Sequence, residues 1–233
     1  MTTLVYIVLV TISGLFATWA SSRVSSTYKK YSTDLSSRGI KAEDACRQVL
    51  DAHGLHSVQI DRVSGQLTDH YSPKENIIRL SDAVYGQTSS AAIGVACHEA
   101  GHAMQYADGY APIKLRNAII PITNLGSTIS MPLILAGIAL SVSSSQWIGL
   151  AYIGVILFST VSLFQLFTLP TEFNASSRAL KVIQDNDILT SEELVGSRAV
   201  LSAAALTYVA ALASSLVQLL RLVLLVLQSR KRN

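Results

Sequence analysis

Two long stretches without a charged side chain constrain this sequence most. Residues 1–22 and 117–171 contain no Asp, Glu, Lys or Arg, whereas every Asp and Glu lies within 34–108 or 172–193. Hydrocarbon excludes charge, and an apolar helix of about 17–25 residues spans it. The chain therefore alternates between lipid and water. Leu4–Ala20 is just long enough to cross. No basic residue precedes it and no small-residue cleavage site follows, which marks an uncleaved anchor rather than a signal peptide. Ala118–Val142 and Trp147–Leu169 are two further spans joined by SVSSSQW, a hairpin with Trp147 at an interface. Leu201–Gln228 is a fourth apolar stretch, interrupted by Arg221 and followed by SRKRN. Either it crosses with Arg221 snorkelling, or only LVLLVL enters lipid.

Composition agrees: half the residues are hydrophobic, and the mean hydropathy is +0.40. A net charge of +3, with no interleaving of basic and aromatic residues, excludes a nucleic-acid partner. Cys46 and Cys97 form neither a CxxC pair nor a disulfide framework and read as buried, reduced thiols.

The chain divides into an anchor (1–22), a soluble domain (23–116), a transmembrane hairpin (117–169), a soluble helix (170–200) and a C-terminal apolar helix with a basic tail (201–233). The fold class is thus a mostly α membrane protein: three or four transmembrane helices and a small α+β domain. That domain opens on a Ser-rich basic linker, SSRVSSTYKKYSTDLSSRG. In KAEDACRQVLDAHG, Ala45, Val49 and Leu50 give a helical stripe that Gly54 stops. SVQIDRVSG, QLTDHYS and ENIIRLS read as three antiparallel strands. Ser89 then caps a helix, AAIGVACHEAGHAMQYA.

That helix carries HEAGH. Positions four apart share a helix face, so His98 and His102 present two imidazoles to one tetrahedral zinc, with Glu99 about one step round. Such a helix following a strand is the zincin arrangement, in which an edge strand pairs with the extended substrate. Two histidines hold zinc poorly, and a carboxylate would complete the set. Glu172, in LPTEFNASSRAL, is either that ligand or an ordinary carboxylate in the first turn of a helix started by Pro170. Topology favours the ligand: a hairpin leaving after residue 116 returns Glu172 to the side that holds His98 and His102. Arg23, Lys29, Lys30, Arg38, Lys114 and Arg116 flank the first two spans on that side, so the positive-inside rule places it in the cytoplasm. SRKRN argues the other way if the fourth stretch crosses.

The sequence resembles the bacterial family of neutral zinc membrane metallopeptidases, the YugP-like family. The likeness runs in order through LTDHYSPKENIIRLSDAVY, SSAAIGVACHEAGHAMQ, LPTEFNASSRAL and AALTYVAA, from about Lys41 onward. It implies a multi-pass protein of the bacterial plasma membrane with a zinc-dependent endopeptidase activity. His98, His102 and Glu172 would hold one zinc per chain, and Glu99 would be catalytic. The sequence departs from the family's pattern at Asn174, where an acid is as frequent as an amide, and at Ser177, where a base is more usual.

His70, Tyr71, Arg178 and Tyr208 are candidate oxyanion or substrate contacts. Each also has an ordinary reading: strand surface for His70, helix packing for Tyr208, an ion pair for Arg178. His53 and His56, beside Gly54, read as solvated turn residues. The expected partners are the bilayer and polypeptide substrates near it, whether membrane-proximal or misfolded; a homo-oligomer or a membrane partner is compatible with the anchor. The rival reading is a zinc-binding membrane scaffold or adaptor without turnover. It leaves Glu99 without a role and lacks a fourth protein ligand.

Overall fold

The computed structural model describes residues 3–232. Its elements run α1 (Thr3–Tyr31), α2 (Ala42–Ala52), β1 (Gln59–Val63), β2 (His70–Ser72), β3 (Ile77–Ser81), α3 (Ser90–Ala107), α4 (Ala111–Ser141), α5 (Ile148–Asp185) and α6 (Ser191–Arg232). A single 3-10 turn, Ser145–Trp147, precedes α5. The protein is a mostly helical membrane protein with one small sheet, and α1, α4, α5 and α6 are each long and apolar enough to cross a bilayer.

The chain forms two compact units. The first comprises residues 3–19, 114–169 and 208–232. Here α4 and α5 approach through small residues: a Cβ on Gly137 would overlap the Ala151 backbone. Close backbone approach is how helices associate where no hydrophobic driving force separates them from lipid. Ile134, Ala151, Leu222 and Val226 form this unit's core. The helix α6 runs unbroken through Arg221, whose guanidinium stands 5.0 Å from the Tyr6 ring centre. The continuous helix is long and apolar enough to cross, and it is compatible with both readings of the fourth stretch.

The second unit comprises residues 20–113 and 170–207. Its core gathers Val49 and Leu50 of α2, Ile78 and Leu80 of β3, Ile93, Ala96 and Cys97 of α3, and Ile183 of α5, all fully buried. The sheet has the order β1-β3-β2. It corrects the all-antiparallel expectation: β2 pairs antiparallel with β3, but β1 runs parallel to it, Gln59 opposite Ile77 through Val63 opposite Ser81. The residues between Ser72 and Ile77 close a tight hairpin, with Asn76 at φ 55°. That hairpin fixes one neighbour of β3 and leaves the other side to β1. The strand before the motif helix is therefore central rather than an edge; the edges belong to β1 and β2. Burial agrees, since four of the five β3 residues are buried.

Two boundaries also shift. Residues 21–31, expected as a linker, continue α1: no Gly or Pro interrupts residues 15–38, and Tyr28 Oη anchors this end by donating to Ala83 O at 2.6 Å. Pro170 starts no helix but sits inside α5. The missing N–H is tolerated within a long helix that no glycine stops between Gly154 and Asp185.

Candidate metal and active site

The small residues of HEAGH determine how its helix packs. A Cβ on Gly101 would overlap the Ala175 carbonyl, and one on Gly94 would lie 2.9 Å from Ser197 Cβ. Glycine at these positions lets α5 and α6 approach α3 at backbone distance. Ser89 caps α3 by accepting from Ala92 N–H at 3.2 Å. Because α5 touches α3 at Ala175, one turn after Glu172, the Glu172 carboxylate meets both imidazoles.

His98 Nε2 is 3.3 Å and His102 Nε2 3.5 Å from Glu172 Oε2. The three donor atoms all lie within 4.8 Å of one another. Glu172 is 4% exposed, and its Oε2 is buried without a hydrogen-bond partner. A buried carboxylate oxygen left unsatisfied is costly unless a cation completes it. Donors about 2.0–2.1 Å from a tetrahedral ion sit roughly 3.4 Å apart, close to both observed distances. The residues fit zinc with three protein donors and one open position.

The other ring nitrogens are already engaged. Gln105 Nε2 donates to Thr171 O at 2.7 Å and to Asn174 Oδ1 at 3.0 Å, so its Oε1 must accept from His102 Nδ1, 3.0 Å away. This puts the proton on Nδ1 and leaves the Nε2 lone pair facing Glu172. His98 Nδ1 meets Ser176 Oγ at 3.0 Å, and its Nε2 likewise faces Glu172. Burial disfavours a charged His102 ring, but Glu172 and Glu99 outweigh burial, and its pKa lies above the ordinary imidazole value.

Glu99 stands off this cluster, 8% exposed. Its Oε2 accepts from Tyr71 N–H of β2 at 3.0 Å. The Tyr71 main chain thus holds the Glu99 carboxylate, while its hydroxyl donates to Asn76 Oδ1. His70 is exposed and bonded to Thr68 O. Arg178 is committed to protein partners: Nε donates to Asn174 Oδ1 at 2.7 Å, Nη1 to Asp108 Oδ2, and the guanidinium stacks over Tyr110. Tyr208 lies on the α6 segment of the first unit.

His53 is exposed at the end of α2, as expected, and its Nε2 meets Asp108 Oδ1 at 3.0 Å. Arg178 first, and His53 after it, hold the Asp108 carboxyl below its ordinary range. A continuous chain of polar contacts thus runs from His102 through Gln105, Asn174 and Arg178 to Asp108 and His53. Gln105 and Asp108 in this chain, and Ser176 beside His98, are the residues that sequence reasoning missed. Gln105 alone carried a local signal, being three residues after His102 on one helix face. Cys46 and Cys97 are fully buried, and burial raises both thiols well above their ordinary values, so neither is a ready metal ligand.

Residues 6–227 match the model of a family described as "Putative neutral zinc metallopeptidase". The chain is 45% identical over 215 residues, 92% of its own length and 93% of the relative's, to a protein of Bacillus subtilis (strain 168) described as "Putative membrane protease YugP". No solved structure matches it.

Proposed function

The chain belongs to this family of neutral zinc metallopeptidases, and on that premise we propose that it is a membrane-anchored zinc endopeptidase. The observation that carries this reading is the buried, unpartnered Glu172 Oε2 facing both imidazole Nε2 atoms. His98, His102 and Glu172 would hold one zinc per chain. When bound, the ion supplies Lewis acidity, polarising a carbonyl and acidifying water.

The remaining chemistry falls to Glu99. In hydrolysis the water oxygen bonds to the scissile carbonyl carbon, and the C–N bond breaks. Glu99 takes the proton that water loses and hands it to the leaving amine. The Tyr71 N–H orients this carboxylate by holding one oxygen and leaving the other for water. An extended substrate would lie along β2, the edge strand that reaches the motif helix.

Placement narrows the substrate class. The six basic residues around the first two spans put the site on the cytoplasmic face. With α6 crossing, the basic tail falls outside, against the rule, but six residues beside two spans outweigh it. Substrates are then cytoplasmic segments of membrane proteins or misfolded chains near the bilayer.

The test is zinc stoichiometry and casein cleavage on wild type, Glu172→Ala and Glu99→Gln. One zinc per wild-type chain is expected, lost in Glu172→Ala. Glu99→Gln is expected to keep it while activity falls at least roughly 10²-fold. Zinc retained in all three with no cleavage in any would replace the peptidase with the scaffold.

A further inference from the structure

Away from the metal cluster, the second unit contains two adjoining open clefts that share Ser202. One, of 510 Å³, is bounded by Arg23, Thr27 and Lys30 of α1 with Ala203 and Leu206 of α6. The other, of 330 Å³, is bounded by Phe173, Leu180 and Lys181 of α5 with Arg198 and Leu201 of α6. No Asp or Glu lines either. Among the described residues, none of the four cations enters an ion pair. Like charges gathered without a counter-charge raise the local potential and favour an anion.

The sequence adds an independent constraint. Arg23 is the first charge after the uncharged residues 1–22, and Arg198 is the last before the uncharged 199–220. On α5, Phe173 follows the uncharged run that ends at residue 171. Arg23, Phe173 and Arg198 thus lie within two residues of where each helix's apolar run stops, which is headgroup depth, and Lys30 stands about two turns further along α1. Phe173 is 49% exposed, and with the half-buried Leu180 and Leu206 it offers apolar surface beside the cations. The matching ligand is anionic at one end and apolar at the other.

We propose that these clefts bind one anionic phospholipid, its phosphate among Arg23, Lys30 and Arg198 and an acyl chain along the apolar walls. Nothing in this assignment depends on the peptidase reading. The test is native mass spectrometry of the full chain in neutral detergent, with phosphatidylglycerol or phosphatidylcholine of the same acyl chains. Wild type should retain phosphatidylglycerol at least about tenfold better, and Arg23→Gln/Lys30→Gln/Arg198→Gln should lose that preference. Lys114→Gln/Arg116→Gln, which removes two other basic residues beside a span, should keep it. Should the triple variant fail to fold, Arg23→Gln and Arg198→Gln singly should each weaken retention about fivefold. Equal retention of the two lipids by wild type, or equal loss in the Lys114/Arg116 variant, would overturn the site. Displacement by equimolar inorganic phosphate or an acidic peptide would overturn the lipid assignment and name the other ligand.

Discussion

Gln105 shows what one buried amide does for an imidazole of the candidate metal site. Its two donor bonds, to Thr171 O and Asn174 Oδ1, leave only its oxygen for His102, which settles the tautomer of that ring. Gln105→Leu should therefore weaken zinc binding about 10–100-fold, measured by competition with a chelator of known affinity. Unchanged affinity would mean that the ring is oriented without it. At this scale the clustering of His98 and His102 on one helix face was legible, because a four-residue spacing is settled within one helix turn. Asn174 and Ser176 acquire their roles only across helices, since their partners lie 69 and 78 residues away. Arg178 illustrates the converse. Sequence left it between a substrate contact and an ordinary ion pair, and the fold pairs it with Asp108 and Asn174.

Among the elements, the contact between α3 and α5 decides whether a site exists. Gly101 admits the Ala175 carbonyl where any side chain would collide. Gly101→Ala gains helix propensity of about 1 kcal/mol. It must also push the helices apart, at a cost of about 1–3 kcal/mol. A lower melting temperature and loss of zinc are expected. Gly14→Ala, on α1 with nothing within 4 Å of the added Cβ, serves as the control and should keep zinc without lowering the melting temperature. A Gly101→Ala protein that bound zinc like wild type would show that this helix spacing is not what positions Glu172. The sheet teaches a related lesson. Short, half-buried strands read alike in either direction, so periodicity found all three but not the parallel sense of β1. The hairpin that places β3 in the middle is a tertiary event.

For the whole molecule, the charge-free runs predict sidedness. Gln66 in the loop after β1 and Ser143 at the tip of the α4–α5 hairpin are both exposed. Gln66→Cys and Ser143→Cys should react with a membrane-impermeant maleimide from opposite faces of sealed vesicles. The native thiols are buried and should add little background. Labelling of both from one face would refute the crossing. The sequence by itself determined what is local or additive: the apolar runs, their spacing by charged segments, and two histidines one helix turn apart. Such features depend on rise per residue and on the exclusion of charge from hydrocarbon, which act without long-range contacts. Topology and resemblance already offered Glu172 as the third donor; the tertiary structure alone decided how near it lies to both imidazoles, that Thr171 O and Asn174 Oδ1 hold Gln105, that Ser176 meets His98, and that Tyr71 N–H holds Glu99. Each of these joins separate elements, and their alignment depends on packing distances that no single segment encodes.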